Sequence, residues 1–169
     1  MNPPVSLADR RLVERLRRGE PGAADELWVA RRDAVWAVCR AMADSRDAAV
    51  ALLQQVYLEL PRAGRGFDPQ APVCCGVAAW LWRDIGGLLE LPPLVDIEPV
   101  PPDRHAELSP AQVVGRLGAL EPNVRLVYLI DLYFGCPVGR LAELVAIAEP
   151  DLRAARTQAV WGLLGQGAL

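Results

Sequence analysis

Apolar residues recur at helical spacing in the N-terminal part of the chain. Val13 and Leu16 fall on one face of a segment that Ser6 or Asp9 can cap. A Gly-Glu-Pro-Gly sequence interrupts the pattern after that segment, and Pro61 stands where a later apolar segment is expected to stop. The pattern predicts three helices here, at residues 7–18, 23–42 and 47–60.

A strongly apolar segment follows a loop at residues 62–72 that contains two glycines and two prolines. Residues 73–91 predict a fourth helix. Trp80 and Trp82 cannot both face one core on this helix, because side chains two positions apart point in different directions. One of the two is therefore a candidate for a contact between domains or with a partner.

Prolines then replace the apolar pattern. Residues 91–110 contain six of them and show no apolar period, which predicts an extended linker at 92–110. Ser109 and Pro110 supply a cap and a first-turn proline for a helix that ends near Leu120. Three more helices are predicted, one that begins at Glu121 or Asn123 and ends near residues 134–135, and two at residues 138–145 and 149–164. The last two, with a tight turn between them, form a helix-turn-helix pattern.

These segments predict an all-α protein built from two small helical bundles joined by a proline-rich linker. A helical domain is predicted at 1–91, the linker at 92–110, and a domain with the helix-turn-helix at 111–169. A chain of 169 residues is long enough for one domain or two small ones. Its hydrophobic content of 52% is sufficient for a buried core.

The charge of the chain lowers the expectation of tight DNA binding. The formal net charge is −3 at pH 7, and all 18 basic residues are arginines. From residue 92 to the end, six arginines stand against nine acidic residues. A protein that holds DNA by itself usually presents a basic face, although an acidic chain can still carry a local basic patch. We therefore expect any contact with DNA to be weak.

Residue types that often carry catalysis or bind metals are few. The lone histidine, His105, lies in the proline-rich linker, where we interpret it as a solvated residue rather than a general base. The four cysteines form no Cys-x-x-Cys pair, and we interpret them as buried, reduced side chains, with a metal site as the alternative. They are Cys39, Cys74, Cys75 and Cys136. The sequence has no phosphate-binding loop and no His-Glu metal motif, so we predict no enzymatic activity, no cofactor and no metal.

Membrane and export signals are missing from the sequence pattern. Every apolar run is interrupted by a charge or a proline before it reaches membrane-spanning length. Residues 1–18 lack the apolar core of a signal peptide. We therefore expect a cytoplasmic protein that does not associate with membranes.

Four stretches of the chain form an ordered set. They are residues 12–28 (LVERLRRGEPGAADELW), 47–60 (DAAVALLQQVYLEL), 67–69 with 79–83 (FDP and AWLWR), and 117–164. Their order and spacing resemble those of the extracytoplasmic-function sigma factors, a bacterial family of the sigma-70 type. Within the last stretch, residues 120–122 (LEP) stand where that family has Leu-Pro-Pro, and residues 132–135 (LYFG) resemble its Tyr-Phe-x-Gly region. The resemblance covers nearly the whole chain and implies a region-2-like domain at 1–91 and a region-4-like domain at 111–169.

The resemblance implies a transcription regulator with two kinds of functional surface. The helix at 47–60 is similar to the one that family members present to the β′ clamp of RNA polymerase core. The polymerase-binding residues implied in this way are Asp47, Gln54, Gln55 and Tyr57. The residues implied to contact promoter DNA are Arg83, Arg153, Arg156 and Thr157. An anti-sigma factor is the alternative protein partner.

Departures from the family pattern fall mainly on these surfaces. Val50 and Ala51 replace acidic residues of the clamp-facing helix, which removes charge-assisted contacts to a basic partner. Asp84 stands in a stretch that is basic in the family, and Ala155 and Gln158 occupy positions that are often arginine. Two hypotheses follow from this pattern. One is a sigma-factor-like regulator of transcription initiation that binds core polymerase and contacts promoter DNA weakly. The other is a sigma mimic or adaptor that binds no DNA and instead binds an anti-sigma factor or another regulatory protein.

Overall fold

A computed structural model describes residues 6–94 and 110–164 of the chain. Over these residues every regular element is a helix, which confirms the predicted all-α class. The helices are α1 (Leu7–Arg18), α2 (Ala23–Met42), α3 (Arg46–Gly64), α4 (Val73–Leu88), α5 (Pro110–Ala119), α6 (Pro122–Phe134), α7 (Val138–Val145) and α8 (Glu149–Leu164). Residues 95–109, which include His105 and most of the predicted linker, lie outside the described part.

Local capping signals set the ends of the N-terminal helices. Ser6 Oγ accepts a hydrogen bond from the Asp9 backbone N–H at 3.0 Å and begins α1. Gly19 ends that helix in the left-handed region, with φ of 66°. Ser45 Oγ accepts from the Ala48 backbone N–H at 3.1 Å and begins α3 in the same way. The bounds of α1, α2, α7 and α8 are the predicted ones.

The predicted end of the third helix before Pro61 is wrong. The helix continues to Gly64 with Pro61 inside it. An interior proline removes one backbone hydrogen bond and costs about 3 kcal/mol. Burial of the last turn offsets this cost, because Leu60 is fully buried and Gly64 lies against α1. A Cβ added at Gly64 would come within 3.1 Å of Leu16 Cδ2, so the two helices touch closely at this point.

α4 ends at Leu88, three residues before the predicted end at 91. Glu90 adopts a positive φ of 50°, and the Leu91 backbone N–H donates to the Gly86 carbonyl at 2.9 Å. The helix stops here because the two prolines at 92 and 93 cannot continue it. The chain then turns back, and the side chain of Leu94 is buried in the core.

α4 is the central helix of the described structure. Residues 75–81 and Ile85 on it are all buried. It packs on α1 and α3, which precede the undescribed segment, and on α6 and α7, which follow it. The buried apolar side chains of both parts form one continuous core. The division into domains at 1–91 and 111–169 stays a prediction.

The two tryptophans of α4 differ in burial, as helical geometry requires. Trp80 is 1% exposed, and its indole Nε1–H donates to Asp84 Oδ2 at 2.6 Å. Burial raises the pKa of the Asp84 carboxyl, although the bond from Trp80 acts in the opposite direction. Trp82 is half-buried and lies beside the turn between α7 and α8. Trp82 therefore lines a groove that the α7–α8 turn also lines, whereas Trp80 lies within the core.

Candidate functional site

The four residues predicted to bind polymerase all lie on α3 and are all exposed. At 100° per residue, Asp47 and Gln54 fall on one stripe of the helix, and Gln55 and Tyr57 flank that stripe on either side. The residues that the resemblance implies for polymerase binding therefore share the solvent-facing side of α3, and their role stays a prediction. We call this face the α3 surface, and its residues are Asp47, Val50, Ala51, Gln54, Gln55, Tyr57 and Leu58.

Tyr57 connects the α3 surface to α2. Its phenol Oη donates a hydrogen bond to Asp25 Oδ1 at 3.2 Å, and its ring centroid lies 4.7 Å from that of Trp28 at an interplanar angle of 55°. The hydrogen bond to the Asp25 carboxylate raises the pKa of the Tyr57 phenol. This ring is therefore held in one orientation, and α2 contributes to the same surface.

Exposed apolar side chains add a second feature that the sequence reasoning missed. Leu58 on α3 is 73% exposed, Val29 on α2 is 67% exposed, and Val50 is also exposed. Large exposed apolar side chains are frequent on surfaces that bind other proteins. The sequence could have indicated them, because these apolar residues do not follow the helical spacing of the residues that face the core. The α3 surface can thus offer amide hydrogen bonds and apolar area, with Asp47 as its charge.

The residues predicted to contact DNA lie in two places. Arg83 is exposed on α4 and lines a groove of about 520 Å³ with Trp82, Asp151, residues 91–94 and the α7–α8 turn. The other three lie on α8, where Arg153, Arg156 and Thr157 line a hollow with Val138 and Trp161. Arg83 and the α8 residues therefore line different cavities.

Both predicted DNA-contacting arginines of α8 are paired with carboxylates of the same chain. Arg153 Nε donates to Glu149 Oε1 at 2.8 Å, one turn earlier on α8. Arg156 Nε lies 2.9 Å from Asp131 Oδ2 on α6. Thr157 Oγ1 donates to the Arg153 carbonyl at 2.8 Å, a bond within the helix. These contacts place a negative charge beside each arginine that a phosphate would approach.

Arg140 of α7 extends this paired arrangement. It forms ion pairs with Glu143 on its own helix and with Asp68 in the loop before α4. The three arginines thus face four carboxylates, so this part of the surface has no positive excess. The residues concerned, here called the α7–α8 surface, are Asp68, Asp131, Arg140, Glu143, Glu149, Arg153 and Arg156.

The interpretation of all four cysteines as reduced side chains is wrong. Cys75 in α4 and Cys136 between α6 and α7 form a disulfide with a Cα–Cα distance of 4.9 Å. Cys39 and Cys74 are free thiols, and burial raises the pKa of Cys39 to about 12. The pairing has no signal in the sequence, because the two cysteines are 61 residues apart and meet only through the packing of α4 on the C-terminal helices.

Neither a metal-ligand cluster nor a membrane-spanning helix occurs among the described residues. Between 6 and 94 and between 110 and 164, no three His, Cys, Asp or Glu side chains are grouped closely enough to hold a metal ion. Among the helices of these same ranges, none combines the length and the apolar character needed to cross a membrane.

Comparison with known proteins shows the fold and leaves the family unassigned. No protein-family model and no curated protein sequence matches the chain. The chain is similar to the solved structure of CnrH in complex with the cytosolic domain of CnrY, with 18% sequence identity and a TM-score of 0.62. The match covers 92% of this chain and 94% of that one. CnrH is an extracytoplasmic-function sigma factor, so the two proteins share a fold over nearly their whole lengths.

Proposed function

We propose that the protein is a sigma-factor-like regulator of transcription initiation, which binds RNA polymerase core through the α3 surface and contacts promoter DNA weakly. The observation that carries this proposal is the placement of Asp47, Gln54, Gln55 and Tyr57 on one exposed face, in a chain with the fold of CnrH. In the sigma family the corresponding helix faces the β′ clamp. The resemblance of residues 47–60 to that helix brings the role to this chain.

The chemistry of the α3 surface suits a protein partner. Gln54 and Gln55 are exposed amides that can both donate and accept hydrogen bonds. Leu58 is exposed beside them, and its burial against a partner would contribute about 1.5–3 kcal/mol. The acidic residues of the family helix are replaced by Val50 and Ala51, so this contact depends less on charge and more on apolar area than in the family.

Weak DNA contact follows from the ion pairs of the α7–α8 surface. Nearly all non-specific DNA affinity comes from neutralising phosphates with Lys or Arg. Here Arg153 and Arg156 would have to leave Glu149 and Asp131, or bring those carboxylates close to the phosphates. Partly exposed ion pairs are worth only about 0–1 kcal/mol, so the arginines can be displaced. The cost comes chiefly from repulsion between the carboxylates and the phosphates.

A second candidate function is that of a sigma mimic that binds another regulatory protein and no DNA. The observation that favours it is the same excess of carboxylates on the α7–α8 surface. CnrH is seen in complex with the cytosolic domain of CnrY, an anti-sigma factor. A partner of that class is the one we propose for this alternative.

The first experiment measures binding of the full chain to purified core RNA polymerase. We expect Leu58→Asp to weaken binding by about tenfold or more, which corresponds to about 1.4 kcal/mol. Leu132→Asp is the matched control, because Leu132 is also an exposed leucine, 58% exposed on α6. A twofold change or less is expected for it.

Absence of binding by the unaltered chain would overturn the polymerase role. The protein would then be tagged and recovered from its own cells. Recovery of a small anti-sigma protein without polymerase, lost in the Leu58→Asp variant, would support the second candidate. Recovery of the large polymerase subunits would support the first.

A further inference from the structure

A disulfide joins the central helix to the start of the helix-turn-helix. Cys75 lies in the first turn of α4, and Cys136 lies between α6 and α7, 61 residues later. Their Cα atoms are 4.9 Å apart, within the span that disulfides bridge. The bond therefore crosses between the helices that precede residues 95–109 and the helices that follow them.

The backbone holds both cysteines in place. The Cys75 N–H donates to the Pro72 carbonyl at 2.9 Å at the start of α4. Cys136 follows Gly135, which ends α6 with a left-handed φ of 57°, and precedes Pro137, the N-cap of α7. Both cysteine side chains are buried. Their separation is therefore set by how α4 packs on α6 and α7.

The other two cysteines compete poorly for the same bond. Neighbouring Cα atoms are about 3.8 Å apart, which is shorter than the span of roughly 4.4 Å or more that disulfides need. A Cys74–Cys75 bond is thereby disfavoured within α4. Burial raises the pKa of the half-buried Cys74, so that less of its reactive thiolate forms. Cys39 lies fully buried on α2.

α7 is a short helix in which Val138, Leu144 and Val145 pack against the core without being fully buried. Leu141 and Ala142 are the buried residues among its eight, whereas α6 buries seven residues. Arg140 adds a half-buried ion pair with Asp68 in the loop before α4. The disulfide fixes the segment that leads into α7, so we expect its loss to change α7 more than α6.

We propose that Cys75 and Cys136 form a reversible redox site, a latch that holds α7 on α4 as a disulfide and releases it as a dithiol. Closure consumes a low-molecular-weight disulfide. One cysteine thiolate attacks it and expels a small thiol, and the second cysteine then attacks the mixed disulfide and expels the other. Two electrons pass from the cysteine pair to the small disulfide, and the two protons of the pair end on the two small thiols. Opening is the reverse reaction, with the small thiol as reductant.

Release of α7 changes which surfaces face solvent. The groove that contains Trp82 and Arg83 is closed on one side by the α7–α8 turn. Movement of α7 away from α4 uncovers this side of α4. Disulfides in the cytoplasm, the compartment that the sequence predicts, are commonly transient and redox-sensing. The latch is independent of the partner proposed above.

The first test counts thiols on the full chain in buffers of increasing ratio of glutathione to its disulfide. Each sample is quenched in acid, unfolded, alkylated with N-ethylmaleimide and weighed by mass spectrometry. We expect two alkylated cysteines in the oxidised form and four in the reduced form, with full return when the buffer is reversed. Four alkylated cysteines in every buffer, or a bond that peptide mapping assigns to Cys39 or Cys74, would overturn the proposal.

The second test follows amide hydrogen exchange in the same two redox states. Reduction is expected to speed exchange in α7 by about tenfold or more and to leave α2 unchanged. Cys136→Ser should show fast exchange in α7 in either buffer, and Cys74→Ser, the matched control, should keep the redox response. If Cys136→Ser fails to fold, the comparison of the oxidised and reduced forms of the unaltered chain still tests the proposal. Equal exchange in α7 with the bond formed and broken would contradict the latch.

Discussion

The α3 surface and the α7–α8 surface both carry exposed side chains that could bind a partner, but those side chains differ in their contacts within the chain. On α3, Gln54, Gln55 and Leu58 are exposed, and the contact of Tyr57 with α2 fixes the ring without removing it from the surface. On α8, Arg153 and Arg156 already contact carboxylates of the same chain. A partner that binds the α3 surface can contact these side chains directly. An anionic partner that binds α8 must first displace the carboxylates that already contact its arginines.

The shape of a helix-turn-helix and its ability to bind DNA are separate properties, although both are often inferred from the same sequence pattern. A helix-turn-helix pattern indicates a shape, and the charges that surround it decide what that shape can bind. The four carboxylates of the α7–α8 surface leave the shape intact and cancel the positive charge of its three arginines. We therefore expect the two surfaces to respond differently to substitution.

The largest expected effect tests whether the two surfaces depend on one core. Leu152 on α8 is 1% exposed, and its change to Ala should lower the free energy of unfolding by about 3 kcal/mol. Because the core is continuous, α3 should lose stability in the same transition. Urea unfolding followed by circular dichroism and tryptophan fluorescence measures the loss, and amide hydrogen exchange in α3 shows whether it is shared.

Leu132→Ala is the control for this prediction, since Leu132 is exposed and its truncation should change stability by about 0.5 kcal/mol or less. Two separate transitions, with α3 unaffected by Leu152→Ala, would contradict a shared core and support independent domains at 1–91 and 111–169.

The second prediction concerns the carboxylates beside the α8 arginines. Asp131→Asn together with Glu149→Gln should free Arg156 and Arg153 for phosphates. Binding to a non-specific DNA duplex should strengthen, and the slope of log K against log salt should steepen by about 1.8, or 0.9 for each new phosphate contact. Fluorescence anisotropy over a salt series measures both. An unchanged slope would show that these arginines do not reach DNA.

Two substitutions outside the α7–α8 surface provide the control for that charge change. Glu14→Gln and Asp44→Asn remove the same two negative charges from exposed positions on α1 and in the turn after α2. Their effect on the salt slope should be small, because they free no arginine of the α7–α8 surface. An equal gain in both double variants would mean that net charge, and not the local ion pairs, limits DNA binding.

Helix positions were largely predictable because they depend on local signals. The bounds of α7 and α8 follow from periodicity, prolines and caps. The continuation of α3 through Pro61 was not predictable, since it depends on packing of Gly64 against Leu16 of another helix.

The same distinction applies to the candidate sites. The ion pair of Glu149 and Arg153 can be predicted from the sequence, because the two residues are four positions apart on one helix. The ion pair of Arg156 and Asp131 joins two helices, so the sequence contains no local signal for it. The disulfide is the extreme case, because nothing in the spacing of the cysteines pairs Cys75 with Cys136. Contacts between distant segments thus account for most of what sequence reasoning missed.

The third prediction tests the ion pair that joins the α7–α8 surface to the loop before α4. Asp68→Asn removes the charge that faces Arg140. In the unaltered chain Asp68 Oδ1 accepts a hydrogen bond from the Gln70 backbone N–H at 2.8 Å, and the Oδ1 of an asparagine can accept the same bond. Stability should fall by up to about 1 kcal/mol, and the difference should shrink at high salt. Chemical unfolding at low and high salt measures it. A loss that is independent of salt would indicate a packing effect instead.

The smallest effect concerns a carboxyl on α4 that faces α3. Asp84 accepts the indole N–H of Trp80 and lines a hollow with Glu59 and Arg62 of α3. Burial raises its pKa, to which the negative charge of Glu59 adds, while Trp80, Arg62 and Arg83 act in the opposite direction. The folded state therefore binds the proton of Asp84 more tightly than the unfolded state does.

The raised pKa fixes the sign of the pH dependence. Stability contributed by Asp84 is greatest below the ordinary aspartate pKa and is lost as pH rises through the raised folded value. Asp84→Asn can keep the hydrogen bond from Trp80 without the charge. As pH rises through the raised pKa, the stability of the variant should therefore increase relative to that of the unaltered chain, by about 0.5 kcal/mol or less. Unfolding of both proteins at stepped pH measures the difference, in which the other titrating groups cancel. A difference that is flat with pH, or that favours the unaltered chain as pH rises, would show that the burial of Asp84 does not destabilise its charged form.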